Sequence, residues 1–107
     1  MNDVNVKNLT VLAERRRNLR PAVVLFNFLA EKTDALNCIH LSKGALAERF
    51  HVSARTVANW LYALADVGAI KYKYSGIIRL NPIIYYVGTR KNYKKALSEY
   101  ETFRSDI

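Results

Sequence analysis

One cysteine, two histidines, four glycines and two prolines stand among 107 residues, and each scarcity closes off a class of chemistry. A lone Cys38 cannot form an internal disulfide and fits a reducing compartment. With Cys38, His40 and His51 as the whole stock of thiol and imidazole, no set of zinc-ligand spacings can be completed, so these read as isolated core or surface residues. Glycine is too sparse for a phosphate-cradling loop, and the scattered carboxylates offer no acidic cluster for magnesium. Neither a metal nor a cofactor is expected. Tyr85 or Tyr86 as a strand-breaking nucleophile lacks the histidine pair that would hold the metal, so no catalytic residue is assigned and the protein is not expected to be an enzyme. No apolar run approaches the roughly 20 residues of a membrane span. The N-terminal MNDVNVKNLTVLAERRRN lacks the basic-then-apolar order of a signal peptide. A cytoplasmic protein without a membrane partner is expected.

Acidic residues are scarce as well. Nine Asp and Glu face seventeen Lys and Arg, a formal charge of +8, and the pI is near 9.8. For so small a chain this points to a polyanionic partner, with nucleic acid the leading candidate. Half of the residues are apolar, enough to bury one core, so residues 1–107 are expected to form a single domain. Within it, residues 1–19 read as an N-terminal extension, 20–80 as a winged-helix core, and 81–107 as a C-terminal segment and helix.

The densest pattern is LSKGALAERFHVSARTVANWLYALADVGAI, Leu41 to Ile70. Ser42 suits the N-cap of a short helix ending about Phe50, His51 and Val52 make a turn, and Ser53 caps a second helix over about residues 54–67. That second helix carries Val57, Trp60, Leu61, Leu64 and Val67 as an apolar stripe, and Gly68 fits the left-handed position that closes it. The small Ala47 falls where two helix backbones cross. This is the spacing of a helix-turn-helix. The turn often carries glycine where His51 stands, and histidine tolerates positive φ better than most residues. Trp60 is a conceivable base-stacking platform, but its place on the stripe assigns it to the core.

Around this motif the pattern is that of an α+β winged helix. Pro21 opens a helix over about 21–33 with Val24, Leu25, Phe28 and Leu29 at helical spacing, and Cys38 to Leu41 read as a short first strand. After Gly68, two β-prone runs, Ile70 to Tyr74 and Ile77 to Leu80, flank a two-residue Ser75-Gly76 turn and read as the wing. Asn81-Pro82 interrupts it, because proline donates nothing to a ladder. IIYYVG is a further extended segment, and from about Arg90 to Arg104 the residues Tyr93, Ala96, Leu97, Tyr100 and Phe103 share one face of a final amphipathic helix. Residues 1–19 contain Val4, Val6, Leu9 and Leu12, read as a short strand or helix used in packing or dimerisation.

The candidate DNA surface has two parts. On the second helix, Ala54, Arg55, Thr56 and Asn59 lie near the N-terminus and off the apolar stripe, the part that enters the major groove in helix-turn-helix docking. Arg55 suits guanine and Asn59 adenine, whereas Ser53 and Thr56 suit phosphate at the helix start. Tyr62 points away from the stripe toward the backbone. In the wing, Lys71 and Lys73 share one strand face and Tyr72 and Tyr74 the other, so cations are expected outward and rings inward. From Lys71 to Lys95 there are seven basic residues and no acidic one, an electrostatic footprint for phosphate. Ser42, Lys43, Ser75, Arg79 and the cluster Arg15, Arg16 and Arg17 complete the DNA-binding set. Tyr93, Leu97, Tyr100 and Phe103, if left open by a small core, form a homodimer face.

From Leu41 to Tyr100 the chain resembles the RepL-type winged-helix replication proteins of small plasmids. The resemblance rests on the helix-turn-helix, the segment RLNPIIYYVG (Arg79 to Gly88) and the basic helix after it. It implies double-stranded DNA as partner, origin binding in plasmid replication or copy control, and a structural role for Asn81, Pro82, Tyr85, Tyr86 and Gly88. Other replication or relaxosome proteins are further candidate partners. A transcriptional repressor would bind a promoter with the same surface, and a relaxosome accessory protein would bind a transfer origin and read DNA mainly through its wing. A winged helix that binds protein would carry an uncharged second helix and wing, against which the cation run argues.

Overall fold

Two helices of this protein end in the same way, the first at the turn of the helix-turn-helix and the second at the entry to the sheet. The computed structural model describes residues 3–7 as backbone and residues 20–107 in full. In chain order these form β1 (Asp3–Lys7), α1 (Arg20–Lys32), β2 (Cys38–His40), α2 (Lys43–Phe50), α3 (Ala54–Asp66), β3 (Ile70–Lys73), β4 (Ile77–Leu80), β5 (Tyr85–Thr89) and α4 (Arg90–Thr102). Ser42 and Ser53 cap α2 and α3, their hydroxyls accepting from Ala45 N and Thr56 N at 3.1 Å each. After α2, His51 N donates to Glu48 O and Val52 N to Ala47 O; after α3, Gly68 N donates to Ala65 O and Ala69 N to Leu64 O. This paired closure needs one left-handed residue. It falls on Gly68 (φ 75°) and on His51 (φ 56°), as the sequence pattern predicts for both.

Leu46 and Ala47 of α2, Val57, Leu61 and Leu64 of α3, and Ala22, Leu25, Phe26 and Leu29 of α1 form the core against the sheet. Trp60 packs at its edge, with ring contacts running from Trp60 to Phe50 and from Phe50 to Phe28. Pro21 stands in the first turn of α1, where its missing N–H costs nothing.

The three-stranded antiparallel sheet has the order β2-β4-β3, and a separate antiparallel pair joins β1 to β5. Alternation gives the larger sheet a core face of Ile39, Ile70, Tyr72, Ile78 and Leu80, all buried. Its second face carries Lys71, Lys73 and Arg79. The wing differs from the expected two-residue turn. Lys73 pairs with Ile77, so Tyr74, Ser75 and Gly76 form a three-residue loop closed by Gly76 N donating to Lys73 O at 2.8 Å. A primed two-residue turn would require positive φ at Ser75, whereas here only Gly76 (φ 97°) adopts it. Tyr74 therefore lies beyond the strand alternation. It is 60% exposed rather than turned inward beside Tyr72, which is 1% exposed.

Asn81-Pro82 redirects the chain from β4 to β5. Asn81 Oδ1 accepts from Ile83 N at 2.9 Å, its Nδ2 donates to Gly68 O at 2.8 Å, and its carbonyl accepts from Ile84 N and Tyr85 N. Asn37, the one buried polar residue of the described core, ties the strand ends together: its Nδ2 donates to Tyr85 O at 2.7 Å and Leu80 O at 3.3 Å. Beyond α4, Ser105 and Asp106 close the outer edge of β3, with Asp106 N on Tyr72 O at 2.7 Å and Tyr72 N on Ser105 Oγ at 3.0 Å.

Gly88 is required for space. A Cβ there would meet the Tyr86 hydroxyl at 2.7 Å and two ring carbons at 3.1 Å, while Tyr86 is held by its hydroxyl donating to Ala35 O. Gly88→Ala should cost about 1–3 kcal/mol by overpacking, and less in a Tyr86→Phe background that removes the nearest atom. Urea denaturation of the single and double variants checks this; an equal cost in both backgrounds would contradict it.

Candidate nucleic-acid interface

The face of α3 away from the core is open along its first turns. Ala54, Arg55 and Asn59 are exposed, as is Ser53 before them. Thr56 is half-buried, its Oγ1 3.0 Å from Ser53 Oγ, so these two hydroxyls complete the helix start. Arg55 and Asn59 lie four residues apart on one face, with neither ion pair nor hydrogen bond among the described residues. Their guanidinium and carboxamide are free for planar, bidentate partners. Tyr62, one turn further, is 46% exposed.

Tyr62 reaches the wing loop. Desolvation and then the adjacent Tyr62 phenol raise the pKa of Tyr74. The Lys43 ammonium stands 5.4 Å from the Tyr74 ring centroid, and Leu41 N donates to Gly76 O at 2.8 Å. The wing tip is thus pinned to the start of α2, and Lys43, Tyr62 and Tyr74 line one continuous surface. Sequence reading proposed Lys43 and Tyr62 but assigned Tyr74 to the interior. Its signal was the loop length, set by where glycine takes positive φ.

The wing cations differ from the expected outward array. Lys71 Nζ donates to Tyr100 O at 2.8 Å and Glu101 O at 3.4 Å, and lies 4.7 Å from the Tyr100 ring centroid. Lys73 and Arg79 stack on Phe103, at 4.9 and 5.3 Å from its centroid. Arg79 also pairs with Glu99 at 3.1 Å. The cause is cross-strand register: Lys71 sits directly opposite Arg79, a like-charge pair that is unfavourable unless neutralised. The C-terminal end of α4 neutralises it with its last-turn carbonyls, the negative end of the helix dipole and Glu99. Ser75 remains exposed at the wing tip.

The expected dimer face is likewise occupied within the chain. Tyr100 is buried and its hydroxyl donates to Gly68 O at 3.3 Å. Tyr93 packs on Tyr86 at 5.3 Å between centroids, Phe103 lies under Lys73 and Arg79, and Leu97 is half-buried. The sequence showed that this face was apolar but not that the sheet's second face and β5 would cover it. Arg15, Arg16, Arg17, Leu9 and Leu12 lie outside the described residues, and Val4 and Val6 fall within β1.

Cys38 Sγ lies 3.9 Å from His40 Nε2, and burial is the main cause that raises its thiol pKa. Among the described residues no three His, Cys, Asp or Glu side chains gather as a metal site, and no helix is long and apolar enough to cross a membrane.

A family model described as Firmicute plasmid replication protein (RepL) matches residues 6–106. The chain belongs to the RepL family. No curated protein and no solved structure matches it. The match covers nearly the whole chain, wider than the Leu41 to Tyr100 stretch on which the resemblance rested. It takes in α1 and the C-terminal tail, so those parts of this RepL protein are family features and not additions to a generic helix-turn-helix.

Two outcomes follow from the α4 clasp. Lys71→Met should destabilise the fold by about 1–2 kcal/mol, because it removes a charge-assisted bond to helix-terminal carbonyls. It should leave the salt dependence of DNA binding unchanged; a shallower slope in a fully folded variant would contradict the assignment. Burial also pushes the Tyr100 phenol up to about 12. Folding favours the protonated form, so this contribution is intact below the ordinary tyrosine value near 10 and is lost as pH rises toward 12. Spectrophotometric titration should show a late tyrosine step that Tyr100→Phe abolishes.

Proposed function

We propose that this RepL family member is a non-catalytic, sequence-specific double-stranded DNA-binding protein that acts at a plasmid origin in replication initiation or copy control. The observation that carries the reading is the two-sidedness of α3. Val57, Leu61 and Leu64 are buried, while Arg55 and Asn59 are exposed on the N-terminal half, without partners among the described residues. That half enters the major groove in helix-turn-helix docking, where arginine matches guanine O6 and N7 and asparagine matches adenine N6 and N7.

Ser53, Ala54 and Thr56 lie at the same helix end, suited to phosphate approach along the helix dipole. Lys43, Tyr62, Tyr74 and Ser75 extend the surface toward the wing. With Lys71, Lys73 and Arg79 engaged by α4, the wing positions the protein through its tip. The family match supports replication over promoter or transfer-origin binding. Tyr100 is buried, and Tyr93 and Phe103 are half-buried against their own chain, which leaves only part of that face for a pairing of two copies.

The test begins with selection of bound fragments from the protein's own replicon. On the selected duplex, Arg55→Ala and Asn59→Ala should each cost about 1–3 kcal/mol, with little effect on random-sequence DNA. Specificity that survives both changes and disappears on altering Tyr74 or Ser75 would assign readout to the wing and refute reading by α3.

A further inference from the structure

We propose that the N-terminal half of α4 is a second DNA contact, a cationic face of Arg90, Lys91, Lys94 and Lys95 that grips the phosphate backbone of duplex DNA beyond the segment read by α3. This rests on the reading of α3 as the recognition helix. The seven-cation run from Lys71 to Lys95 is divided in two by the fold. Lys71, Lys73 and Arg79 are clasped to the C-terminal end of α4. Arg90, Lys91, Lys94 and Lys95 are all exposed and have no ion pair, hydrogen bond or ring contact among the described residues.

These four side chains share one side of the helix. Positions 90, 91, 94 and 95 fall together at helical spacing, opposite the buried Ala96 and Tyr100. The arrangement runs against helix chemistry. The first turn holds cations and no acid, which opposes the dipole, and Arg90–Lys94 and Lys91–Lys95 are like-charged pairs one turn apart. Thr89 caps the helix despite them, accepting from Asn92 N at 3.2 Å. Such local conflicts are retained where a ligand compensates for them. Four exposed cations with no acidic residue between positions 90 and 95 match a polyphosphate backbone, and their long side chains suit positioning without base readout.

The attraction is weaker on the recognition side. Across α2 and α3 the cations are Lys43, Arg49 and Arg55, with Arg49 over the Phe28 and Phe50 rings, while Glu48 and Asp66 add opposite charge. The two surfaces meet at one joint, the Tyr100 hydroxyl on Gly68 O. A 13-residue α3 reaches about 20 Å from there and the cations of α4 about 8–15 Å. The two reaches sum to at most about 35 Å, on the scale of one turn of duplex, roughly 34 Å. A contact within that reach falls on phosphates flanking the bases that α3 contacts.

The test compares the full chain with a variant carrying Arg90→Gln, Lys91→Gln, Lys94→Gln and Lys95→Gln, measuring affinity for the selected duplex and for random-sequence duplex over a range of salt. Each neutralised phosphate contributes a log–log slope of about −0.9, so the variant's slope should be shallower by roughly 3–4 on both DNAs. Its thermal midpoint should equal or exceed the parent's, since the changes relieve like-charge repulsion, which separates lost contact from lost fold. The ratio of specific to random binding should stay near the parent's. A folded variant with the parent's slope overturns the α4 contact and leaves α3 readout standing. A collapse of the specificity ratio at unchanged slope also overturns it, by making these residues readers and not clamps. If the parent itself shows no preference for the selected duplex, the α3 reading fails, while the slope comparison on random DNA still decides the α4 contact.

Discussion

The clasp between the sheet's second face and the C-terminal end of α4 organises this molecule. Lys71 and Arg79 stand opposite one another in the β3–β4 ladder, and a bare pair of cations in that register would repel. The Tyr100 and Glu101 carbonyls, the Glu99 carboxylate and the Phe103 ring meet them. Charge-assisted bonds of this kind are individually stronger than neutral ones, and they fasten the last helix to the sheet. From that contact the chain continues as Ser105 and Asp106 along β3, closing an edge that would otherwise present unpaired groups.

The same clasp decides where charge is available. A run of basic residues in sequence reads as one surface, but in space it serves two ends of one helix. At the C-terminal end cations neutralise helix carbonyls and hold the fold. At the N-terminal end the cations have no such partner among the described residues and are exposed. The recognition helix, by contrast, presents shape and hydrogen-bonding groups with little net charge. On the proposed function, reading and gripping fall to different elements, which is the division expected when base contacts specify and phosphate contacts position.

Much of this was legible in the sequence because local chemistry and tertiary packing agreed. Ser42 and Ser53 cap helices wherever they are placed, and Gly68 and His51 mark the turns that need a left-handed residue. The stripe on α3 and the alternation in β3 follow from backbone periodicity alone. What stayed hidden depends on contacts between distant segments. Nothing near Lys71 announces that residue 100 will accept its proton donors, and nothing in Asn37 announces that it will hold β4 against β5. The loop at Tyr74 was misread through a single residue of turn length. The apolar face of α4 was recognised as apolar, but its partner, supplied by Tyr86 and the sheet's second face, is legible only in three dimensions.

On the proposed function, DNA approaches the start of α3 and the start of α4 while the clasp stays closed. Amide and lysine side-chain NMR of the labelled protein, titrated with a duplex selected from its own replicon, addresses this directly. Perturbations are expected to concentrate in residues 53–59 and 90–95, with the Lys71 ammonium and the Tyr100 amide unmoved. Perturbations centred on Lys71, Lys73 and Arg79, together with loss of the Lys71–Tyr100 contact, would contradict it.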